Sequence, residues 1–357
     1  MLRSTHGAAA GDLRPGAQGH PCEHPASGPC RKDERGGDAG AQVSATHRHY
    51  EAGAAKFKPS RDSLARMSER AAPDSAPDPP ADLPEQVAAA LREDIGTGDV
   101  TARLVPEVQH VRGRVISREA AVLCGRPWVE ECFRRLDPGI RLAWRTGEGV
   151  HVEPGQVIFA LEGPARPILS GERTALNFLQ LLSATATQAR RFTEAVRGTG
   201  CTILDTRKTL PGLRSAQKYA VRCGGARNHR LGLYDMVLIK ENHIAAAGSI
   251  AHAVAAARAA ATGIKVEVEV ESLAELEEAL AAGPDIVMLD EFSLEDLTAA
   301  VALNRARGRP AQLEASGNVS LQDVRAIAET GVDFISVGGI TKHVRAVDLS
   351  MRLDFTP

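Results

Sequence analysis

Aromatic residues are scarce in this chain, the cysteines are scattered, and neither sign of charge is in excess. Aromatics make up 4% of the 357 residues, so any core must be aliphatic, built from Ala, Val, Leu and Ile. The six cysteines (Cys22, Cys30, Cys124, Cys132, Cys201, Cys223) include no C-x-x-C pair and no compact Cys/His cluster of zinc-ligand spacing. No apolar run approaches the roughly 18–20 residues that a membrane-spanning helix needs. No basic-then-apolar leader opens the sequence. With 43 basic and 45 acidic residues the formal charge is −2, which gives no pull toward nucleic acid or a membrane. Hydrophobic residues at 43% and charged residues at 25% are ordinary for a globular enzyme. The expectation is a reduced, cytoplasmic protein.

Residues 1–82 carry only seven large aliphatic, Phe or Met side chains and end in the Pro-rich APDSAPDPPADLP. Such a stretch cannot bury enough apolar surface to offset the entropy of ordering, so a disordered tail is expected. Acidic residues such as Asp12 and Glu23 argue against a transit peptide. Met67, opening MSERAAPDSAPDPP, reads as an alternative start.

From Leu83 the pattern changes. Helical spacing covers 85–94, followed by short strand-like runs at 111–117, 120–124, 140–144 and 157–161. Turns are expected at 149–155 and 162–167, and a helix over about 171–197 with Leu176, Leu179, Leu182 and Ala186 on one stripe. Beyond residue 200, strand-like runs at 202–205, 236–239, 264–270, 286–289, 312–315 and 334–337 alternate with helical stretches at 214–223, 248–261, 272–282, 293–305 and 320–330. That alternation predicts a parallel sheet.

Polar residues gather where these strands end: Asp205-Thr206-Arg207-Lys208, Lys240-Glu241-Asn242-His243, Asp290-Glu291, Ser316-Gly317-Asn318 and Gly338-Gly339. Reactive groups at the carboxyl ends of successive strands favour a barrel over an open sheet, which confines its site to one switch point. Glu267, Glu269 and Glu271 share one face of a strand, and a wet, functional mouth is expected to receive them. Residues 206–240 hold eight basic side chains (Arg207, Lys208, Arg214, Lys218, Arg222, Arg227, Arg230, Lys240) against one acid, Asp235. Such a field suits a multiply anionic small molecule, because guanidinium groups grip carboxylates and phosphates with two bonds. A solvated basic surface is the plainer alternative.

Gly turns at 314–320 and 336–341 suit a phosphate cradled by backbone N–H groups. Glu269 and Asp290 could bind ribose hydroxyls or Mg²⁺, or could be structural ion pairs with Lys240 or Lys265. Lys240 could form a Schiff base or serve as a counter-ion. His229, beside Arg230, could donate to an anion or simply pack. Besides a small-molecule transferase, a Schiff-base lyase and an RNA-binding module therefore stay open.

The stretches LREDIGTGDVT (91–101), GERTALNFLQLLSATAT (171–187), LDTRKTLPGLRSAQKYAVRCGGARNHRLGLYDMVLIKENHI (204–244), VEVEVESLAELEEAL (266–280), DIVMLDEF (285–292), LEASGNVS (313–320) and GVDFISVGGIT (331–341) carry a resemblance. From about residue 83 to 352 the sequence resembles the quinolinate phosphoribosyltransferases, the carboxylating nicotinate-nucleotide pyrophosphorylases. The resemblance implies an α/β protein of the type II phosphoribosyltransferase kind: an N-terminal α/β open-faced sandwich (83–175), an incomplete seven-stranded parallel α/β barrel (176–345), and a segment 346–357 packing back on the first domain. It implies substrates quinolinate and phosphoribosyl pyrophosphate, Mg²⁺ as the companion ion, and no organic cofactor. It also implies a homodimer or higher even oligomer in which Arg173 reaches the neighbouring site. By the same carry-over, Arg173, Arg207, His229 and Arg230 bind the carboxylates, while Lys208 and Lys240 face anionic groups. Glu269 and Asp290 meet the ribose and the metal, and Ser316, Gly317, Gly338 and Gly339 the 5′-phosphate. Asn318 stands where a second glycine is expected.

Overall fold

The computed structural model describes residues 76–355. The expectations for residues 1–75, including Met67 as a start, lie outside the described residues. Residues 76–82 form no regular element, but Arg222 donates to the Asp78 carbonyl (3.2 Å) and Ser215 to the Asp82 carboxylate (2.8 Å).

Helix α1 (Leu83–Ile95) buries Leu83, Val87 and Leu91, one stripe at four-residue spacing. Strand β1 (His110–Ser117) alternates exposed His110, Arg112 and Arg114 with buried Val111, Gly113 and Val115. The short β2 (Ala121–Val122) precedes α2 (Arg126–Leu136), which buries Trp128, Val129, Cys132 and Phe133. Then come β3 (Arg141–Trp144), β4 (His151–Val152) and β5 (Val157–Pro164). β5 pairs antiparallel with β1 and β3, and β4 pairs with β2.

Two of the expected turns contain regular structure. β4 lies inside 149–155, and β5 continues to Pro164, where α3 (Ala165–Ala195) begins ahead of the expected residue 171. Pro167 falls in the first turn of α3, where no intrahelical donor is needed, so it starts the helix rather than blocking it. The helix is about 46 Å long. Leu176, Leu179 and Leu182 join one hydrophobic core with α1 and α2, while Ala189 and Phe192 join a second.

That second core belongs to the parallel sheet. Its strands are β6 (Thr202–Leu204), β7 (Val237–Ile239), β8 (Val266–Val270), β9 (Ile286–Asp290), β10 (Gln312–Ser316) and β11 (Phe334–Ser336), in spatial order β6-β11-β10-β9-β8-β7. The last strand of the series pairs with the first, so the sheet curls round, leaving β6 and β7 as its two ends. The intervening helices are α4 (Arg214–Cys223), α5 (Glu241–Ala247), α6 (Ile250–Ala260), α7 (Leu273–Ala282), α8 (Leu294–Ala306), α9 (Val324–Glu329) and α10 (Gly339–Lys342). Ser249, Ser272 and Ser293 cap α6, α7 and α8 by accepting backbone N–H bonds, which fixes where each helix starts. Val266, Val268 and Val270 pack outward in the helix-side core, so Glu267 and Glu269 point inward.

In place of a regular seventh strand there is one parallel bridge, Leu204 to Arg227, with Arg227 N–H donating to Ile203 (2.9 Å) and Asp205 N–H to Arg227 (3.1 Å). The ladder goes no further: the His229 N–H turns to the Asp205 carboxylate (2.8 Å), to which Asn228 Nδ2 also donates (2.7 Å). Finally β12 (Leu349–Phe355) returns to pair antiparallel with β1, giving the first sheet the order β12-β1-β5-β3. No helix of the described residues is long and apolar enough to cross a membrane.

Gly224, at the end of α4, lies against α3 so closely that an added Cβ would sit 2.5 Å from both the Ala186 carbonyl oxygen and the Ala189 Cβ. Gly224→Ala is expected to lower unfolding stability by about 1–3 kcal/mol, the cost of overpacking a rigid helix contact. Denaturant titration of both proteins checks this, and equal midpoints would contradict it.

Candidate active site

The residues after β6 are held by a buried ion pair. Lys218, on α4, donates from Nζ to Asp205 Oδ1 at 2.6 Å and to the His229 carbonyl at 3.0 Å. Asp205 also accepts from the His229 N–H (2.8 Å) and from Asn228 Nδ2 (2.7 Å). Asp205 is fully buried and Lys218 nearly so. Burial pushes the carboxyl up and the ammonium down, while each partner's charge pulls the other back toward the ionised form. The effect is a clamp on residues 228–230. Lys218 is therefore a positioning group and adds nothing to the solvent-facing positive field expected of residues 206–240.

His229 is buried and points into the barrel. Its Nδ1 accepts the Arg230 N–H at 2.7 Å, so in the neutral ring Nε2 carries the hydrogen, and Nε2 lies 2.9 Å from Glu267 and 3.6 Å from Glu314. Both glutamates are fully buried. The expectation that Glu267, Glu269 and Glu271 form a row at a wet mouth is thereby corrected. Glu267 is enclosed against imidazole and a second carboxyl, Glu269 is nearly buried, and only Glu271 is exposed. Burial raises Glu267 to about 7 and, with the neighbouring Glu267 charge, Glu314 to about 8, so at neutral pH Glu314 is mostly protonated and Glu267 only about half so. Burial also lowers His229, which keeps the ring neutral. A cavity of about 400 Å³ reaches His229, Arg230 and Glu314.

Arg207 and Arg230 lie close together: burial first, then the Arg207 charge, lowers Arg230. The buried Arg207 Nε has no hydrogen-bond partner among the described residues. Lys240 Nζ pairs with Glu269 Oε2. That ion pair realises the counter-ion alternative for Lys240 and gives it none of the apolar surroundings that would activate a Schiff-base nucleophile. Asp290 is half-buried at the end of β9 and stands opposite Ser316 in the ladder. Gly317 has φ 105, and an added Cβ would lie 2.6 Å from Glu291 Cδ. Asn318 also has positive φ (20°), and its Nδ2 donates to Glu291 at 2.9 Å, so it holds the turn without being glycine. A Cβ on Gly338 would come within 3.0 Å of Lys208 Cδ, and Thr341 Oγ1 donates to the Lys208 carbonyl at 2.8 Å. Lys208 is thus packed against the turn after β11.

Two family models match the sequence: "Quinolinate phosphoribosyl transferase, N-terminal domain" over residues 99–183 and "Quinolinate phosphoribosyl transferase, C-terminal domain" over 185–352. The chain belongs to this family. It is 42% identical over 271 residues to the nicotinate-nucleotide pyrophosphorylase [carboxylating] of Mycobacterium leprae, covering 74% of this chain and 94% of that one. The solved nicotinate-nucleotide pyrophosphorylase of Francisella tularensis superposes with a TM-score of 0.73 at 47% identity, covering 79% of this chain and 99% of that one. NadC from Streptococcus pyogenes gives 0.75 at 36% identity, with 79% and 100% covered.

Within this quinolinate phosphoribosyltransferase fold, Arg207, His229, Arg230, Lys240, Glu269 and the two Gly turns all project from the strand ends or the loops that follow them. Arg173 does not join them by any contact: it is exposed on α3 and makes no hydrogen bond or ion pair among the described residues. Asp205, Lys218 and Asn228 as a clamp, and Glu314 as a partner of His229, were not singled out from the sequence. Period-2 alternation in β10 places Glu314 on the same face as Ser316, and that was the available signal.

Lys218→Met is expected to cost about 3–5 kcal/mol because it leaves Asp205 buried and unpaired. Lys218→Met combined with Asp205→Leu should cost less than Lys218→Met alone, which a double-mutant cycle of unfolding free energies measures. Glu314 retains a proton when folded that the unfolded chain loses as pH rises between about 4.5 and 8, so its burial weakens the fold progressively across that window. Glu314→Gln should therefore gain in melting temperature relative to wild type on going from about pH 5 to about pH 8.5. A difference independent of pH would contradict this.

Proposed function

We infer that the protein transfers a phosphoribosyl group from phosphoribosyl pyrophosphate to quinolinate, releasing pyrophosphate and CO₂ and giving nicotinate mononucleotide for NAD synthesis. Family membership supplies the reaction. The observation in this chain that best supports it is the pair Arg207 and Arg230, two like charges within electrostatic reach of each other, with the buried Arg207 Nε unpartnered among the described residues. Such an arrangement is unfavourable until a doubly charged anion enters, and quinolinate brings two adjacent carboxylates.

In this reading Arg207 and Arg230 bind the carboxylates, with His229 behind them fixing Arg230 through its Nδ1, and Arg173 of the partner subunit completing the ring of charge. Lys208 and Lys240 face the anionic groups of phosphoribosyl pyrophosphate. Ser316, Gly317, Gly338 and Gly339 offer backbone and hydroxyl donors to the 5′-phosphate. Glu269 and Asp290, oxygen donors from neighbouring strands, fit ribose hydroxyls and a hard cation such as Mg²⁺, although Glu269 must share its carboxylate with Lys240. When bound, Mg²⁺ would neutralise charge on the departing pyrophosphate. The carboxylates stabilise the positive charge that develops on the ribose as the C–O bond breaks and the pyridine nitrogen bonds to C1. The quaternary nitrogen then accepts the electron pair left at C2 as CO₂ departs, and a proton replaces the carboxylate. No organic cofactor enters this scheme.

A dimer is supported by the surface around Arg173. Val100, Leu104 and Val108 are 74%, 83% and 87% exposed, on a segment tied to the first half of α3 through Arg166 to Val105 and Ser170 to Asp99. A second copy covering these side chains would bring Arg173 to the neighbouring site. Free thiols at Cys124, Cys132, Cys201 and Cys223 suit a reducing compartment such as the cytoplasm.

A coupled assay for nicotinate mononucleotide, comparing quinolinate with nicotinate as acceptor, tests the activity; turnover of nicotinate alone would overturn it. Arg207→Ala should reduce kcat/KM for quinolinate at least about 30-fold, the loss expected when a buried charged hydrogen bond goes unmade. If sites are shared, mixing inactive Arg173→Ala with inactive Arg207→Ala subunits should restore about a quarter of wild-type activity, because half the dimers are mixed and each holds one intact site. No recovery after subunit exchange would remove the shared site.

A further inference from the structure

Far from the strand ends, three segments distant in sequence bring two thiols and a carboxylate together. Cys124 follows β2, Glu148 lies between β3 and β4, and Cys223 ends α4. All three are buried, at 0%, 7% and 6% exposure. One ligand atom from each lies within 4.8 Å of the others, and Cys223 Sγ is 3.7 Å from Glu148 Oε2. A tetrahedral zinc ion, with bonds of about 2.3 Å to sulfur and about 2.0–2.2 Å to oxygen, separates its ligand atoms by about 3.5–3.8 Å. We propose that Cys124, Glu148 and Cys223 form a binding site for one thiophilic divalent cation, of which zinc is the representative, between the β2–β4 pair and the end of α4.

The site is held in shape by its surroundings. The Glu148 carboxylate accepts N–H bonds from Gly125 (3.0 and 3.1 Å) and Arg126 (2.6 Å) at the start of α2. Ser183 fixes Cys124 through both its N–H (3.0 Å) and its carbonyl (3.1 Å). Arg190 donates to the carbonyls of Gly149 (3.3 Å), Cys223 (3.5 Å) and Gly224 (3.0 Å), locking two of the ligand-bearing segments together. Such outer contacts are what orient ligands in a metal site. Tyr219, buried at 1% exposure on α4, belongs to the same hydrophobic core as Cys124 and Cys223.

Zinc binds cysteine as thiolate, so a bound divalent ion would face two thiolates and one carboxylate and leave one net negative charge. The start of α2, whose N–H groups meet Glu148, and the guanidinium of Arg190 stand close to that charge.

The test uses the reduced full chain and the ions Zn²⁺ and Cd²⁺ alone. One ion per chain should survive gel filtration, and X-ray absorption should show two sulfur neighbours at about 2.3 Å from zinc. Loading should protect two of the six thiols from alkylation, mapped to Cys124 and Cys223. Cys124→Ser and Cys223→Ser should each weaken Cd²⁺ binding at least about tenfold, Glu148→Gln should weaken it while keeping both thiols, and Cys201→Ser should leave it unchanged. Absence of a retained ion, protection of other cysteines in the wild-type chain, or undiminished binding in a folded Cys124→Ser variant would overturn the proposal. The wild-type readouts decide the matter even if a variant fails to fold. They also do not depend on the transferase assignment.

Discussion

The buried contact between Lys218 and Asp205 governs the geometry of the whole mouth. A pair of this kind adds little net stability over an apolar pair of similar volume, because removing two charges from water costs about as much as their attraction returns. Its value here is directional. The carboxylate takes bonds from an ammonium, an amide side chain and a backbone N–H, and the ammonium reaches a carbonyl of the same loop. Asn228, His229 and Arg230 therefore have one orientation available, although the segment forms only a single bridge of sheet. A site for a rigid planar diacid needs its cations held to fractions of an ångström, and a clamp anchored on a helix provides that where a loop alone would not.

Beneath the mouth the barrel interior is unusually polar. Glu267 and Glu314 lie buried within 2.9 and 3.6 Å of His229 Nε2, while Lys240 pairs with Glu269 and Arg207 and Arg230 feel each other's charge. Burial raises both carboxyls, Glu267 to about 7 and Glu314 to about 8, so at neutral pH they carry only part of their charge and leave the nearby cations largely uncompensated.

Much of this could be read from the residues. The 3.6-residue stripe of α3 gave a helix whose buried face is the expected one, whereas in β8 the glutamate face expected at a wet mouth is buried along with the valine face. The serine caps of α6, α7 and α8 mark helix starts that periodicity alone locates only roughly. What escaped was set by tertiary contact. Pro164 and Pro167 read as a turn, yet they flank a strand that passes directly into a helix, because neither residue needs to donate a hydrogen bond there. Glu267 and Glu269 look equivalent two positions apart, and only the imidazole of a distant segment separates a buried acid from one paired with Lys240. The thiols of Cys124 and Cys223 lie almost a hundred positions apart in the numbering, so no spacing rule could join them. Family resemblance named Arg173, which no contact within one chain would have pointed to.

The pairing of β12 with β1 means that the first sheet is finished by a strand that follows the whole barrel in sequence. During synthesis on the ribosome, β1 and β5 can meet early, but the outer flank of β1 stays uncovered until the barrel has been made in full. Val111 and Val115 face the core beside that open row of backbone donors and acceptors, a combination that invites strands from other nascent chains. Completion of this sheet is thus tied to the synthesis of β12, and a chain that lacks that strand leaves the flank of β1 open to other strands.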